Sequence, residues 1–427
     1  MSNVSVFANM LSPGLKVVES ADSSRVLPIQ SHTHIYLFGS AAVGTPYIPT
    51  VISSYVDFAN KFGNNTANIA STEVTHNAVR LIFKNDSTAN VYFVRVGGNP
   101  NGEPNGDVAD YLRGIETLEA DDEYPGGFII CPGAFSSLEA EADRIAVANA
   151  MIAKAEELDM MALLDSSAGL NTAPTLMSDI IEEADLYQAS ATGHAAFYHP
   201  HVVESVTGNN AKVPASCVAA SIATARFKTE GYKPNGGLKY PVKGVVGPVV
   251  KISRAEQDVL DPVGINVLRK IRNQGTVIWG MRTRQTALLY RYVHYRVIAN
   301  VVNRTFRESI ELKRQLFDVI DGQGLLFAYL EEAANSVGRQ LYQSGLLFGA
   351  TEVDAFAAKC DFENNTPDMI QQGYVYVEFT YSISPAVEKM VVNTRLTNIG
   401  AVGASNETGR VEETATDSEG NTVNINL

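Results

Sequence analysis

Phe128-Ile129-Ile130-Cys131, Met160-Met161-Ala162-Leu163-Leu164-Asp165 and His194-Ala195-Ala196-Phe197-Tyr198-His199 are three short apolar runs. Two stretches of helical pattern, Ser137 to Leu158 and Ala173 to Ala189, separate them. Strands that read as nearly continuous apolar runs are buried on both faces, and a helix between each pair brings the chain back in parallel. The stretch therefore predicts an α/β domain, doubly wound, with helices on both faces of a parallel sheet. A further helix over Pro214 to Lys228 extends the pattern.

Upstream, Ile35 to Ser40 and Val91 to Val96 read as strands, with helices over Ser54 to Phe62 and Thr72 to Phe83 between them. Gly97-Gly98-Asn99-Pro100-Asn101-Gly102 is a loop and marks a boundary. Downstream, Ala255 to Leu260 is an acidic helix stopped at Asp261-Pro262, because proline disfavours helical geometry in the residue before it. Thr276 to Trp279 is a short β-rich run that ends in the single tryptophan. Thr286 to Phe317 reads as one long helix. Its apolar residues fall in two rows (Leu289, Val293, Val297, Val301 and Ile298, Val302, Phe306, Ile310), so it packs on more than one side. Phe327 to Gln343 adds a helix, and Tyr374 to Tyr381 and Met390 to Leu396 read as strands. The resulting division is an arm at 1–25, a small α+β domain at 26–100, an α/β domain at 101–275, an α+β domain at 276–397 and an acidic extension at 398–427. By composition that extension would be disordered.

A chain of 427 residues exceeds one ordinary core. No apolar window of about 18 residues signals a transmembrane helix. The start lacks the basic and apolar regions of a secretory signal. Cys131, Cys217 and Cys360 lie far apart without a CxxC, as buried reduced thiols of a protein made in a cytosol would. A net charge of −14 argues against nucleic acid as a direct partner. The charge is also uneven. Asn101 to Asp185 holds 19 acidic residues against Arg113, Arg144 and Lys154, whereas Arg269 to Arg314 holds 11 basic residues against Glu308 and Glu311. Such a polarised subunit suits an ordered wall around an acidic partner.

Catalytic and metal-binding patterns are weak. His32-Thr33-His34 and His194 with His199-Pro200-His201 are the histidine clusters, but neither has a cysteine or carboxylate at ligand spacing. Ser166 and Ser167 follow a predicted strand, where α/β folds place active sites, so an α/β hydrolase using either is the alternative reading. They lack the GxSxG elbow. Gly236-Gly237 and Gly322-Gln323-Gly324 are loops without the pattern of a phosphate cradle.

An ordered set of motifs carries more. Pro13-Gly14-Leu15-Lys16-Val17-Val18-Glu19, Tyr36-Leu37-Phe38-Gly39-Ser40-Ala41, Ala195-Ala196-Phe197-Tyr198-His199-Pro200 and Val213-Pro214-Ala215-Ser216 come first. Then come Ala255-Glu256-Gln257-Asp258 with Pro262-Val263-Gly264-Ile265-Asn266, Trp279-Gly280-Met281-Arg282-Thr283, Gly345 to Ala350, and Asp361 with Asn365-Thr366-Pro367. In this order they resemble the contractile tail sheath family, the sheaths of phage tails, R-type bacteriocins and related injection machines. His201 stands where the family has tryptophan.

The resemblance implies a structural subunit without catalytic role or cofactor, with a central domain called subtilisin-like for its fold and with extended terminal arms. It implies a helical homopolymer around an inner tail tube, with baseplate and tail terminator proteins as further partners. No nucleic acid would be bound directly and no membrane inserted. The particle would be a virion tail or an extracellular or cell-anchored machine, synthesised in the bacterial cytoplasm. Strand donation between subunits falls to Leu15, Lys16, Val17, Val18 and Glu19, and to Met390, Val391, Val392, Asn393, Thr394, Arg395 and Leu396. The tube-facing candidates are Arg269, Lys270, Arg272, Arg291, Arg296, Arg304, Arg307, Lys313 and Arg314.

Overall fold

The computed structural model describes residues 27–63, 70–97, 106–118, 124–167, 176–187, 190–206, 209–394, 412–416 and 422–426. The chain divides into two compact units, Met1–Ser384 and Pro385–Leu427.

The strands of the first unit are β1 (His32–Gly39), β2 (Thr50–Ile52), β3 (Asn90–Arg95), β4 (Gly126–Ile130), β5 (Met161–Asp165), β6 (Ala195–His199), β7 (Val202–Val206), β8 (Asn209–Val213), β9 (Val245–Pro248), β10 (Ile265–Ile271), β11 (Gly275–Trp279), β12 (Phe356–Lys359) and β13 (Glu378–Tyr381). Its helices are α1 (Tyr55–Phe62), α2 (Ala70–Asn85), α3 (Val108–Glu116), α4 (Pro132–Ser137), α5 (Glu141–Glu157), α6 (Met177–Leu186), α7 (Ala215–Glu230), α8 (Arg254–Leu260), α9 (Val293–Glu308), α10 (Ile310–Lys313), α11 (Leu325–Gln343), α12 (Glu352–Ala355) and α13 (Pro367–Gln371).

Eight strands form one sheet in the order β11-β10-β6-β5-β4-β1-β3-β2. The six central strands run parallel, and β11 and β2 close the two edges antiparallel. Side chains alternate across it as a strand's period of two requires. Ile35, Leu37, Phe128, Ile130, Met161, Leu163, Ala196 and Tyr198 enter the core beneath α2 and α7. Tyr36, Phe38, Ile129, Ala162, Leu164, Ala195 and Phe197 enter the opposite core beneath α3, α5 and α6. The expected α/β architecture, a parallel-rich sheet with helices on both faces, is present.

Two expectations change. The loop at 97–102 does not divide the sheet: β1 and β3 from its near side pair into the same ladder as β4 from its far side. Likewise the boundary at 275 falls inside the sheet: β10 and β11, on its two sides, pair antiparallel at the sheet's edge. Here the motif residues interlock. Gly264 has φ +79°, and a Cβ there would lie 2.3 Å from the Thr283 carbonyl oxygen. At Gly280 a Cβ would lie 2.8 Å from Asn266 Oδ1. Asn266 Nδ2 donates to the Phe197 and Arg282 carbonyls at 3.2 and 2.7 Å, and Arg282 pairs with Asp261 at 2.9 Å.

The long helix expected over Thr286 to Phe317 is shorter: α9 is followed by the single turn α10, and Leu289 is exposed. Its two apolar rows do face different neighbours. Val293 and Val297 join the sheet core, while Ile298 and Val302 join a third core with Leu27, Ala333, Val337 and Leu341.

In the second unit, Met390 to Thr394 belong to no strand, since a lone extended run has no ladder to join. Arg395 and Leu396, like the arm Leu15, Lys16, Val17, Val18 and Glu19, lie outside the described residues. The extension expected to lack structure carries a hairpin, β14 (Glu412–Thr416) antiparallel to β15 (Thr422–Asn426).

Candidate assembly surface

The basic segment does not form one outward stripe. Arg296, Asn300 and Arg304 recur every four residues on α9 and therefore share one face. That face is buried and lies across the amino ends of three adjacent strands. Arg296 donates to the Thr192 carbonyl, just before β6, at 3.3 Å. Asn300 donates to the Met160 carbonyl, just before β5, at 3.0 Å. Arg304 donates to the Leu158 and Tyr124 carbonyls, before β5 and β4, at 2.5 Å each, and pairs with Glu308. The rise of roughly 6 Å per four helical residues is close to the roughly 4.8 Å spacing of neighbouring strands, so one side chain meets each strand start in turn. Burial holds the Arg296 guanidinium below the usual arginine value. Arg296 and Arg304 are thus internal struts, which corrects their assignment as tube-facing.

The other candidates scatter. Arg307 pairs with Asp159, and Arg269 donates to Gln257 Oε1 at 2.5 Å. Lys270 reaches the Val246 carbonyl and Arg291 the Thr286 carbonyl. Arg272, Lys313 and Arg314 are exposed, and Arg314 pairs with Glu311 at 2.6 Å. Ser166, the alternative nucleophile, is buried, and its Oγ donates to Glu183 Oε2 at 2.8 Å, not to an imidazole. Glu183 also accepts the Ser167 N–H at 2.8 Å. These bonds tie Ser166 and Ser167, at the end of β5, to α6. Among the described residues no group of three or more His, Cys, Asp or Glu side chains could hold a metal ion, and no helix is long and apolar enough to cross a membrane.

A different surface is open. β12 and β13 form a two-stranded antiparallel sheet. The outer edge of β12 is covered by α11, whose Asn335 and Glu331 side chains accept the Ala358 and Cys360 N–H groups at 3.2 and 3.0 Å. The four-residue helical step, roughly 6 Å, matches the two-residue strand step, roughly 6.6 Å. β13 has no such cover. Among the described residues no strand pairs with its outer edge, and the run Tyr374 to Val377 that leads into it joins no ladder. Val375, Val377 and Phe379 alternate inward from this run. With Phe306, Leu316, Leu326 and Leu330 they line an apolar groove of about 730 Å³. Leu316 and Phe317, also in its lining, are exposed. The alternation of Tyr374 to Tyr381 reads as one strand in the sequence, but only Glu378–Tyr381 joins a ladder. The groove was not legible there, because its other walls come from α9, α11 and the turn after α10.

The second unit displays its own apolar run: Met390, Val391 and Val392 are 78%, 83% and 72% exposed. An uncovered strand edge and an exposed apolar run are features that isolated proteins avoid and assemblies use.

In its overall fold the chain matches the sheath of the anti-feeding prophage in its contracted state, with TM-score 0.69, 20% identity, and coverage of 91% of this chain and 100% of that one. The chain has the contractile tail sheath fold. A second sheath, from the extracellular contractile injection system PVC in its contracted state, matches with TM-score 0.67 and 19% identity over 91% of this chain and 98% of that one. The sheath tail protein of Desulfitobacterium hafniense matches less closely, with TM-score 0.52 and 11% identity over 81% and 93% of the two chains. In sequence the chain is 25% identical over 210 residues to the tail sheath protein of Burkholderia phage BcepMu. That alignment takes in 47% of this chain and 42% of the phage protein, less than half of either. No family model matches the chain.

Proposed function

We propose that this chain is the structural subunit of a contractile sheath, polymerising helically around an inner tube and contracting to drive that tube through a cell envelope. The observation that carries the reading is the open β13 edge with its apolar groove, set in a fold shared with sheaths across nine-tenths of the chain. An extended segment from a second copy can add to that edge through main-chain hydrogen bonds while its alternate side chains fill the groove. The terminal runs Leu15 to Glu19 and Met390 to Leu396 are the donors in this scheme. Contacts of this head-to-tail kind build filaments rather than closed dimers. Contraction is then a switch between two packings of the same array. The inner tube and a baseplate are the partners that follow, in a virion tail or an extracellular particle. Lys270, Arg272, Arg307, Lys313 and Arg314 remain as exposed cations for an acidic tube.

Electron microscopy of the purified chain tests this. Helical tubes are expected from the full chain, and folded monomers from a chain lacking residues 1–19. Val375→Glu with Val377→Glu, which puts charge into the groove at partly exposed positions, should also stop assembly and leave the melting temperature nearly unchanged. Monodisperse monomers of the full chain under every assembly condition would overturn the reading.

A further inference from the structure

Leu27 to Ser31 enter the fold ahead of β1 without joining a strand ladder. Side chains from three separate elements nevertheless hold their backbone. The Leu27 N–H donates to Ser336 Oγ at 3.3 Å, and Gln340 Nε2 donates to the Leu27 carbonyl at 2.8 Å, both from α11. The Gln30 N–H donates to Thr305 Oγ1 of α9 at 3.0 Å. Tyr232, after α7, donates its hydroxyl to the Gln30 carbonyl at 3.2 Å, and the same hydroxyl oxygen accepts the His32 N–H at 3.3 Å. The Leu27 side chain is fully buried between α9 and α11, against Ile298, Val302 and Val337.

This attachment is more than packing requires. A buried leucine stabilises by losing apolar surface to water, whatever happens to its amide and carbonyl. Here both backbone groups of Leu27 and of Gln30 are taken up by side chains, although no strand ladder supplies partners. The position is also telling. The next residue after this segment starts β1, which lies between β3 and β4 in the middle of the sheet. Tension on the chain ahead of Leu27 would, without a stop, peel a central strand from its amino end. The segment 27–30 intercepts that tension and hands it to α9 and α11. From α9, Arg296, Asn300 and Arg304 carry it to the starts of β6, β5 and β4.

We propose that Leu27–Gln30, held by Ser336, Gln340, Thr305 and Tyr232, is a mechanical anchor that transfers pull on the N-terminal arm into the body of the subunit. Its purpose rests on the reading of the chain as a sheath subunit whose arm is gripped by a neighbour. Its mechanics do not, so the two can be separated.

The test is single-molecule pulling on the full chain between its N-terminus and a handle at Lys239→Cys, an exposed position; the native thiols are all buried. The unaltered chain should show no extension of the root before the body unfolds. In Ser336→Ala with Gln340→Ala, and separately in Thr305→Val, a lower-force step of roughly 17 Å should precede unfolding, the contour length of about five extended residues. These variants strip main-chain groups of partners and lower the melting temperature as well, so the readout is the separate step before unfolding, which a merely structural loss of stability would not produce. Identical traces for the three chains, or low-force peeling in the unaltered one, overturn the anchor. Tube formation is scored in parallel. Tubes with identical traces sink the anchor and keep the sheath reading; the expected steps without tubes do the reverse.

Discussion

The side-chain amide of Asn266 closes a two-bond ring on the main chain of Arg282, accepting its N–H at 2.7 Å and donating to its carbonyl at 2.7 Å. All the groups are buried. The ring ties β10 to the turn after β11, and the third bond of Asn266, to Phe197, ties both to β6. Asn266→Ala removes three bonds to main-chain groups in a dry setting, so a loss of roughly 2–4 kcal/mol is expected. Urea unfolding of the variant checks this; an unmoved midpoint would mean that the ring is idle.

Gly264 and Gly237 separate two effects of adding a methyl group. Both have positive φ, +79° and +96°, but only Gly264 faces an obstacle, the Thr283 carbonyl oxygen at 2.3 Å from a Cβ, while nothing lies within 4 Å at Gly237. Gly237→Ala should cost about 1–2 kcal/mol from backbone conformation alone. Gly264→Ala adds a clash against backbone, and the sum should reach about 3 kcal/mol or more. Equal melting temperatures for the two variants would contradict the interlocked edge.

Arg304 and Arg272 differ in the same way for charge. Arg304→Met removes the donor from the Leu158 and Tyr124 carbonyls and the cation paired with Glu308, an expected loss of roughly 3–5 kcal/mol. Arg272→Met, at an exposed position, should shift stability by no more than about 0.5 kcal/mol. Thermal melts of the two proteins decide; similar behaviour would return Arg304 to the surface.

Acid should loosen the first unit. Burial lowers His194 and His201 to about 3 and His76, His199 and His294 to about 4, with Arg296 adding to the effect at His194. In the unfolded chain each titrates near an ordinary pKa of about 6.5. Between these values the unfolded state binds more protons, so the histidine contribution is complete above about pH 6.5 and is lost as pH falls toward 4. Asp165 opposes it. Burial raises its carboxyl to about 7, so it contributes below its unfolded value and loses that contribution as pH rises through 7. Five histidines outweigh one aspartate, and the melting temperature should fall from pH 7 to pH 4. A flat or rising profile would contradict the burial of the rings.

Much of the fold was open to inspection in the chain. The apolar run Ile35 to Phe38 and the apolar runs before Asp165 and His199 announced buried parallel strands, because a strand with both faces covered has nowhere to place polar residues. The two apolar rows of α9 announced contact on two sides. The polar row between them was misjudged: Arg296 and Arg304 look like a cationic surface in one dimension. Arginine is solvated unless several acceptors converge on it, and here three strand starts supply carbonyls from 104 to 180 residues earlier in the chain. The groove was hidden for the same reason, since its walls are brought together from Phe306, Leu326 and Val377.

The sequence by itself determined what depends on near neighbours: the alternation of strands and helices, the stop at Asp261-Pro262, the strand pattern of Tyr374 to Tyr381. It also preserved Gly264, Asn266, Gly280 and Thr283 as a recognisable set without disclosing why they occur together. Only the tertiary structure decided that Gly264 meets Thr283, that Asn266 grips Arg282, that β1 lies between β3 and β4, and that one edge of β13 is left open. Such relations join positions far apart along the chain. Local periodicity fixes the face on which a side chain lies, but which strand, helix or carbonyl it meets is settled when the layers pack.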